Sequence, residues 1–264
     1  LFCSLNKISI FDWFILLFQE FALKKLFVLF VILSSTNLFP QNWLKVDSIF
    51  AVSGVTVQNF SAPEFADLNN DGNPDLILGN IAEAADFFWN NSHDFPTTFA
   101  KDASVLSNVY GGGQINTNSD YPTFIDLDND SDLDLAIGGY NRIRYYQNIG
   151  TISSPNFIPA DGIFDIVNLE IGSDAQPAFV DIDDDGDLDL FAGIGESLLG
   201  GPEPGITIGF RNTGTANVPV FTLDNTLVTG IPDIGLNSYP TFVDLDNDED
   251  YDLVFGRDLQ TLVY

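Results

Sequence analysis

Residues 181–189 read DIDDDGDLD and lie between two apolar stretches, QPAFV at 176–180 and LFAGI at 190–194. Six of these nine residues carry carboxylates. Carboxylates at such short range repel one another, and each loses hydration when apolar neighbours crowd it. The stretch therefore predicts either a bound cation or an exposed, solvated turn.

This stretch is one of four copies that recur about every 60 residues. Each copy has a proline four residues before its first aspartate, a phenylalanine two residues before it, and a glycine four residues after its last aspartate. The copies are APEFADLNNDGNPDLILGN (62–80), YPTFIDLDNDSDLDLAIGG (121–139), QPAFVDIDDDGDLDLFAGI (176–194) and YPTFVDLDNDEDYDLVFGR (239–257). Internal repeats of this kind predict a propeller, a solenoid or an array.

The pattern around each copy indicates β-structure. Leu133, Leu135 and Ile137 alternate with Asp134 and Ala136, which is the period of a strand. The segments are short, rich in Phe, Tyr, Val, Ile and Leu, and bounded by turn formers, and no stretch of 41–264 has a helical period. We predict an all-β fold, a β-propeller of about four blades with four strands each, in which the acidic stretch joins the first strand to the second.

The two ends of the repeat region leave two arrangements open. Residues 43–66 align with the last-strand segment that precedes each later copy, and residues 253–264 align without a gap to 135–146. The alignment favours a chain cut within one blade of a larger propeller. A four-bladed ring completed by the N-terminal strand is the alternative.

The four acidic loops, numbered 1 to 4 in chain order, have nine positions each, and their odd positions hold only Asp or Asn. The loops are 67–75, 126–134, 181–189 and 244–252. Their ligand candidates are Asp67, Asn69, Asp71, Asn73, Asp75, Asp126, Asp128, Asp130, Asp132, Asp134, Asp181, Asp183, Asp185, Asp187, Asp189, Asp244, Asp246, Asp248, Asp250 and Asp252. When the chain curls, odd positions turn toward one centre, and all the donors are hard oxygens that suit Ca²⁺ better than Mg²⁺. By analogy with other such loops, positions 1, 3, 5 and 9 would bind through side chains and position 7 through its carbonyl. We expect about four Ca²⁺ ions.

Two features refine this hypothesis. A helix–loop–helix site needs Glu at position 12, where the copies have Leu78, Ile137, Ala192 and Phe255, so the loops are of a strand–loop–strand kind. Position 6 requires a sharp turn that suits glycine, as in loops 1 and 3, and suits the serine and glutamate of loops 2 and 4 less well. A solvated hairpin turn is the alternative for a single loop, but four copies with the same spacing favour metal sites.

Composition excludes several functions. The chain has 264 residues, 45% of them hydrophobic, and a formal net charge of −29, which disfavours nucleic acids and anionic membranes. One cysteine and one histidine cannot build a zinc site of the usual kind. His93, in the loop NNSHDFP, is expected to be solvated rather than a catalytic base.

The N-terminal 40 residues indicate export. Lys24 and Lys25 precede an apolar run at 26–33 and a polar, small-residue region, the order found in signal peptides, with cleavage expected near Pro40 or Gln41. Residues 1–22 are interpreted as upstream sequence. A retained anchor is the alternative, but charges interrupt the apolar residues, and no membrane span is expected in the mature chain.

The pattern PxFxDLDxDGxxDL and the phrase YYQNIGT at 145–151 resemble the FG-GAP/VCBS repeats of integrin α-chain propellers and of secreted bacterial proteins. The resemblance implies a calcium-binding β-propeller, usually of seven blades, at a secreted or cell-surface location. It implies a non-catalytic binding or adhesion module for an extracellular protein or carbohydrate. A spacer or accessory domain of a larger surface protein or enzyme is the alternative, and a propeller lyase or hydrolase is a weaker one. The insertion at 194–207 is a weak candidate for a binding loop.

Overall fold

The structure is a computed structural model whose described residues build four sheets, one for each copy of the repeat. It describes residues 55, 62–79, 84–92, 98–109, 120–139, 142–160, 162–171, 174–195, 205–232, 237–246, 248 and 250–256. These residues all belong to one structural unit, Asp47–Tyr264; a second unit, Leu1–Val46, lies outside the described ranges, as do the predicted signal peptide and most of 43–61.

Three sheets have four antiparallel strands each, in the order of the chain. Sheet 1 contains β1 (Ala62–Ala66), β2 (Asp75–Gly79), β3 (Asp86–Asn90) and β4 (Phe99–Lys101). Sheet 2 contains β5 (Tyr121–Ile125), β6 (Asp134–Gly139), β7 (Arg142–Asn148) and β8 (Phe157–Pro159). Sheet 3 contains β9 (Gln176–Val180), β10 (Asp189–Gly193), β11 (Thr207–Asn212) and β12 (Phe221–Leu223). The prediction of four strands per repeat is confirmed for these three.

Sheet 4 pairs β13 (Tyr239–Val243) with β14 (Asp252–Gly256). The rest of the segment that aligns with 135–146, residues 257–264, lies outside the described residues. In every sheet the last residue of the first strand pairs with the aspartate at position 9 of the loop, as Ile125 does with Asp134. The acidic loop therefore joins the first strand to the second, as the sequence predicts.

The hydrophobic core lies between neighbouring sheets. Ile77 and Phe87 of sheet 1 pack with Leu135 and Ile137 of sheet 2, all of them almost completely buried. A second cluster joins sheets 2 and 3 and includes Phe210. The second strands of sheets 1, 2 and 3 are buried on both faces, which explains why their sequences are almost continuously apolar.

The glycine of the motif makes these sheet contacts possible. A Cβ on Gly138 would lie 2.1 Å from the carbonyl oxygen of Ala175 and 2.6 Å from Cδ of Pro177, at the start of the next sheet. Gly79 and Gly193 approach the following copies in the same way. The repeated glycine and proline therefore form one contact between successive sheets.

One helix was not predicted. α1 (Asp165–Glu170) follows β8, and with one and a half turns it is too short to show a period in the sequence. Phe164, Val167 and Ile171 bury its inner side in the cluster between sheets 2 and 3. Asn168 accepts a hydrogen bond from the N–H of Ile143 at 2.7 Å and donates one to its carbonyl at 3.1 Å, which holds the helix against β7. In the described ranges no helix has the length and apolarity that crossing a bilayer requires.

Candidate functional site

The acidic loops share one hydrogen-bond pattern. In loop 2, Asp126 at position 1 accepts the N–H of Asp130 through Oδ1 and that of Ser131 through Oδ2, both at 3.1 Å. Loops 1 and 3 repeat both bonds at 2.8–3.1 Å, and loop 4 repeats the first at 3.2 Å. The carboxylate at position 5 then accepts the N–H of position 7 in all four loops. Position 1 thus curls the backbone so that the odd positions converge.

This curl brings aspartates together in three of the loops. In each trio, one oxygen from each residue lies within 4.8 Å of the other two. The trios are Asp126, Asp128 and Asp130; Asp181, Asp183 and Asp185; and Asp244, Asp246 and Asp252. Two oxygens bound to one Ca²⁺ at 2.3–2.6 Å lie at most about 5 Å apart, so the trios have the dimensions of a calcium ligand set. Loop 1 has Asn69 and Asn73 among its candidates and so has fewer carboxylates.

The aspartates at position 9 have a second set of partners. Asp134 is 0% exposed; its Oδ1 accepts the N–H of Asn148 at 2.7 Å, and its Oδ2 accepts the N–H of Leu127 at 3.2 Å and the hydroxyl of Tyr145 at 2.5 Å. Asp75 of loop 1 accepts the equivalent backbone bonds, from Leu68 and Asn90. Position 9 therefore joins the acidic loop to the end of the third strand.

Burial determines the acidity of these groups. It raises the pKa of Asp75, Asp134 and Asp189 to about 6, although backbone N–H donors oppose the shift. Burial and then the neighbouring aspartates also raise the pKa of Asp132 and Asp187 at position 7. A nearby cation would favour the charged forms of all five.

Four carboxylate oxygens in loops 2 and 3 are buried and accept no hydrogen bond within the described ranges. They are Oδ1 of Asp128, Asp132 and Asp187, and Oδ2 of Asp189, of which only the last has a cationic neighbour among the described residues, Nη1 of Arg211 at 3.8 Å. Charged oxygens are rarely buried without a partner, because the lost hydration is costly. The sequence assigned position 7 a role through its carbonyl, and these oxygens make its side chain a ligand candidate as well.

The loop turns have the backbone conformation predicted for position 6. Gly72 and Gly186 have φ of 87° and 90°, and Ser131 has φ of 76°. Position 6 of loop 4, Glu249, lies outside the described residues. The left-handed backbone at position 4 was not predicted from the sequence. Asn70, Asn129 and Asp184 have φ of 54–57°. Asn and Asp tolerate the left-handed region, and their recurrence at position 4 was the available signal.

Sequence analysis also missed the partners in the third strand. Asn90, Asn148 and Asn212 end the third strands and donate their backbone N–H to position 9 at 2.7–2.8 Å. The side-chain oxygen of Asn148 accepts the N–H groups of Gly150 and Asn156, which fixes the turn into β8. The signal was the recurring Asn after an aromatic-rich segment, followed in sheets 2 and 3 by x-Gly-Thr.

The first strands of all four sheets line a pocket of about 180 Å³. Glu64, Thr123, Ala178 and Thr241 occupy the same place in the four copies, between the proline and the phenylalanine. Glu64 is the single carboxylate among the described residues that line the pocket, and burial raises its pKa to about 7. His93 and most of the 194–207 insertion lie outside the described residues.

A match to a family model agrees with the repeat pattern. Residues 67–137 match the family model of the FG-GAP-like repeat, which spans the first two acidic loops. A solved structure described as the basis of specific recognition of non-reducing terminal N-acetylglucosamine by an Agrocybe aegerita lectin is 18% identical, with a TM-score of 0.47. The match covers 76% of this chain and 48% of that one, so the chain spans about half the length of that protein. The comparison with curated proteins gives no match. FG-GAP repeats fold as propeller blades, which confirms the blade prediction for the four-stranded sheets, and within this chain the FG-GAP-like repeat model matches residues 67–137.

Proposed function

We propose that the protein is an exported calcium-binding β-propeller and acts as a non-catalytic binding or adhesion module for an extracellular protein or carbohydrate. Ca²⁺ in the acidic loops is structural. The observation that carries the calcium assignment is the set of buried carboxylate oxygens that accept no hydrogen bond, on Asp128, Asp132 and Asp187. They belong to loops whose aspartate oxygens already lie within 4.8 Å of one another.

A cation accounts for features that a solvated turn leaves unexplained. Turn formation alone uses the bonds that positions 1 and 5 accept, and it does not need carboxylates at positions 3 and 7 as well. Burying these groups without a counter-ion costs free energy, whereas Ca²⁺ takes six to eight hard oxygens in flexible geometry. The formal charge of −29 makes a bound divalent cation still more favourable.

A structural role follows from the position of each loop. Loop 2 joins β5 to β6, and Asp134 at its end is hydrogen-bonded to Asn148 at the end of β7. An ion held by loop 2 would therefore brace three strands of one sheet. An ion that binds only the folded chain adds about 2.7 kcal/mol of stability at a hundred times its Kd.

The binding role is supported by the FG-GAP-like repeat match. Export is supported by the sequence of residues 24–41. Extracellular calcium is millimolar, so weak sites of this kind would be filled there.

The test is thermal unfolding of the protein, followed by far-UV circular dichroism, in excess EDTA, in millimolar CaCl₂ and in millimolar MgCl₂. We expect Ca²⁺ to raise Tm by about 5 °C or more relative to EDTA, and Mg²⁺ to raise it much less. Equal Tm values in the three buffers would show that the loops are solvated turns. Chelation that left folding untouched but abolished a turnover would contradict the structural role.

The recognition role needs its own measurement. The calcium-loaded protein is screened against immobilised carbohydrates and extracellular matrix proteins, with the EDTA-treated protein as control. Binding that depends on the calcium-stabilised fold is expected, and catalytic turnover of a bound carbohydrate would contradict the assignment as a non-catalytic module.

A further inference from the structure

The third-strand residue just before the recurring Asn differs between sheets 1, 2 and 3. It is Trp89 in sheet 1, Gln147 in sheet 2 and Arg211 in sheet 3. Each side chain points to the acidic loop or to the residue that follows the fourth strand. Trp89 and Gln147 are neutral and Arg211 is positively charged, so loop 3 has a different electrostatic environment from loops 1 and 2.

In sheets 1 and 2 this residue is neutral. Trp89 donates its indole N–H to Asp102, after the fourth strand, at 3.0 Å. Gln147 donates its amide to Oδ2 of Asp128, at position 3 of loop 2, at 2.5 Å. Oδ1 of Asp128 remains buried without a hydrogen bond. Loop 2 thus keeps a free carboxylate oxygen and the full negative charge of its aspartates.

Arg211 brings a positive charge into loop 3. Its Nη1 forms an ion pair with Oδ2 of Asp183, at position 3, and lies 3.8 Å from Oδ2 of Asp189, at position 9. Both aspartates are ligand candidates. The guanidinium therefore faces two of the carboxylates that a calcium ion in loop 3 would use.

The guanidinium is held in this place from its other side. Nε of Arg211 donates to Oδ2 of Asp224 at 3.1 Å. Oδ1 of Asp224 accepts the N–H and the hydroxyl of Thr226 at 2.9 and 2.6 Å, which fixes the carboxylate. Only 30% of the Arg211 side chain is exposed, so this arrangement is partly shielded from solvent.

We infer that Arg211 is a built-in competitor for the cation of loop 3, so that loop 3 binds Ca²⁺ more weakly than loop 2 and is partly neutralised without it. This inference rests on the proposed calcium binding. An arginine keeps its charge at every physiological pH, so the competition is permanent. A calcium ion entering loop 3 must break the Asp183 ion pair and overcome the repulsion of the guanidinium. The effect opposes the expectation from the loop sequence alone, in which loop 3 has glycine at position 6 and more aspartates than any other loop.

The test is isothermal titration of the calcium-free full chain with CaCl₂, with the Tm in EDTA as a second readout. Asp128→Asn and Asp183→Asn assign the loop 2 and loop 3 sites. Arg211→Gln, which supplies the side chain found in sheet 2, should raise the affinity of the loop 3 site about tenfold and lower Tm in EDTA. Gln147→Arg should weaken the loop 2 site and leave loop 3 unchanged.

The matched control is Lys101→Gln. It removes one positive charge from an ion pair in sheet 1, where Lys101 lies 2.6 Å from Asp86. If it strengthens calcium binding as much as Arg211→Gln does, the effect is one of net charge and the inference is wrong. If the loop 3 site in Arg211→Gln binds Ca²⁺ no more tightly than in the wild type while loop 2 still binds it, the inference about Arg211 is wrong and the proposed calcium binding stands. If titration with CaCl₂ gives no heat of binding in the wild type or in Asp128→Asn, both the proposed calcium binding and the inference about Arg211 are wrong.

Discussion

The backbone N–H of Asn148 donates to Oδ1 of Asp134 at 2.7 Å, although 14 residues separate the two. This bond joins the last position of loop 2 to the last residue of β7. The same bond links Asn90 to Asp75 and Asn212 to Asp189. The aspartate at position 9 therefore has a role in the fold that does not need a cation, and Asp128 at position 3 differs from it in this respect because its Oδ1 accepts no hydrogen bond from the described residues.

Replacement of Asp134 should destabilise the protein with or without calcium. Asp134→Ala removes the acceptor of three donors, the N–H groups of Leu127 and Asn148 and the hydroxyl of Tyr145. Each buried donor left unsatisfied costs about 1–3 kcal/mol, so we expect a loss of at least about 3 kcal/mol in EDTA. Urea unfolding in EDTA and in CaCl₂ measures it.

Asp128→Asn is the matched variant at position 3 of the same loop. Oδ1 of Asp128 accepts no hydrogen bond, and asparagine can still accept the bond from Gln147. We expect stability in EDTA within about 0.5 kcal/mol of the wild type, and a reduced gain on adding calcium. If Asp128→Asn and Asp134→Ala lose equal stability in EDTA, positions 3 and 9 do not have the different roles assigned to them.

The glycine of the motif should be irreplaceable where it meets the next sheet. Gly138→Ala would place a methyl carbon 2.1 Å from the carbonyl oxygen of Ala175. Relief of this overlap requires a shift of the backbone, which costs free energy. We expect a loss of about 3 kcal/mol or more in chemical unfolding. The control is Gly256→Ala in sheet 4, where the nearest atom, Cβ of Tyr239, is 3.4 Å away and the expected loss is below about 1 kcal/mol. Similar losses for both would show that the glycines act through the backbone alone.

Much of the fold could be predicted from the sequence because each repeat carries its own turn and strand signals. The spacing of the aspartates located the loops, and the alternation around Asp134 located β6. The recurring glycine and proline were visible as a pattern, but their contact between Gly138 and Pro177 joins separate repeats. No local signal identifies a contact of that kind.

The remainder of the candidate site depends on side chains distant in the sequence. Arg211 lies 28 residues from Asp183 and 22 from Asp189, so loop spacing could not reveal the ion pairs. The dual role of position 9 was hidden for the same reason, because its partner Asn148 belongs to another strand. Helix α1 is set by the burial of Phe164 and Val167 between two sheets and not by a helical period.

Glu64 should make the protein less stable as pH rises. Burial raises its pKa from 4.5 to about 7, so between these values the folded chain holds a proton that the unfolded chain has lost. The stability from the protonated form is complete below about pH 4.5 and is lost as pH rises through about 7. Glu64→Gln should therefore match the wild type near pH 4.5 and exceed it by about 1–3 kcal/mol at pH 8.

Urea midpoints in EDTA at pH 4.5, 6 and 8 measure this difference. The control is Thr123→Val, which changes a neighbouring lining residue without a titrating group. Its difference from the wild type should not vary with pH. A Glu64→Gln difference that is constant across the range would mean that the carboxylate titrates at its ordinary value in the pocket.

The free-energy cost of a side chain at position 6 of the loop can be measured by exchanging serine and glycine, at Ser131 in loop 2 and at Gly186 in loop 3. Ser131 has φ of 76°, a region in which a side chain costs about 1 kcal/mol, whereas Gly186 has φ of 90° and a Cβ there would meet no atom within 4 Å. Ser131→Gly should stabilise the calcium-free protein by about 0.5–1 kcal/mol, and Gly186→Ser should destabilise it by about 1 kcal/mol, as measured by urea unfolding. No packing contact changes at Gly186. Stability changes of opposite sign and similar size in the two variants would therefore measure the cost of the backbone conformation by itself. If Ser131→Gly destabilises the protein, the serine contributes a contact that outweighs the strain, and position 6 does not limit loop 2.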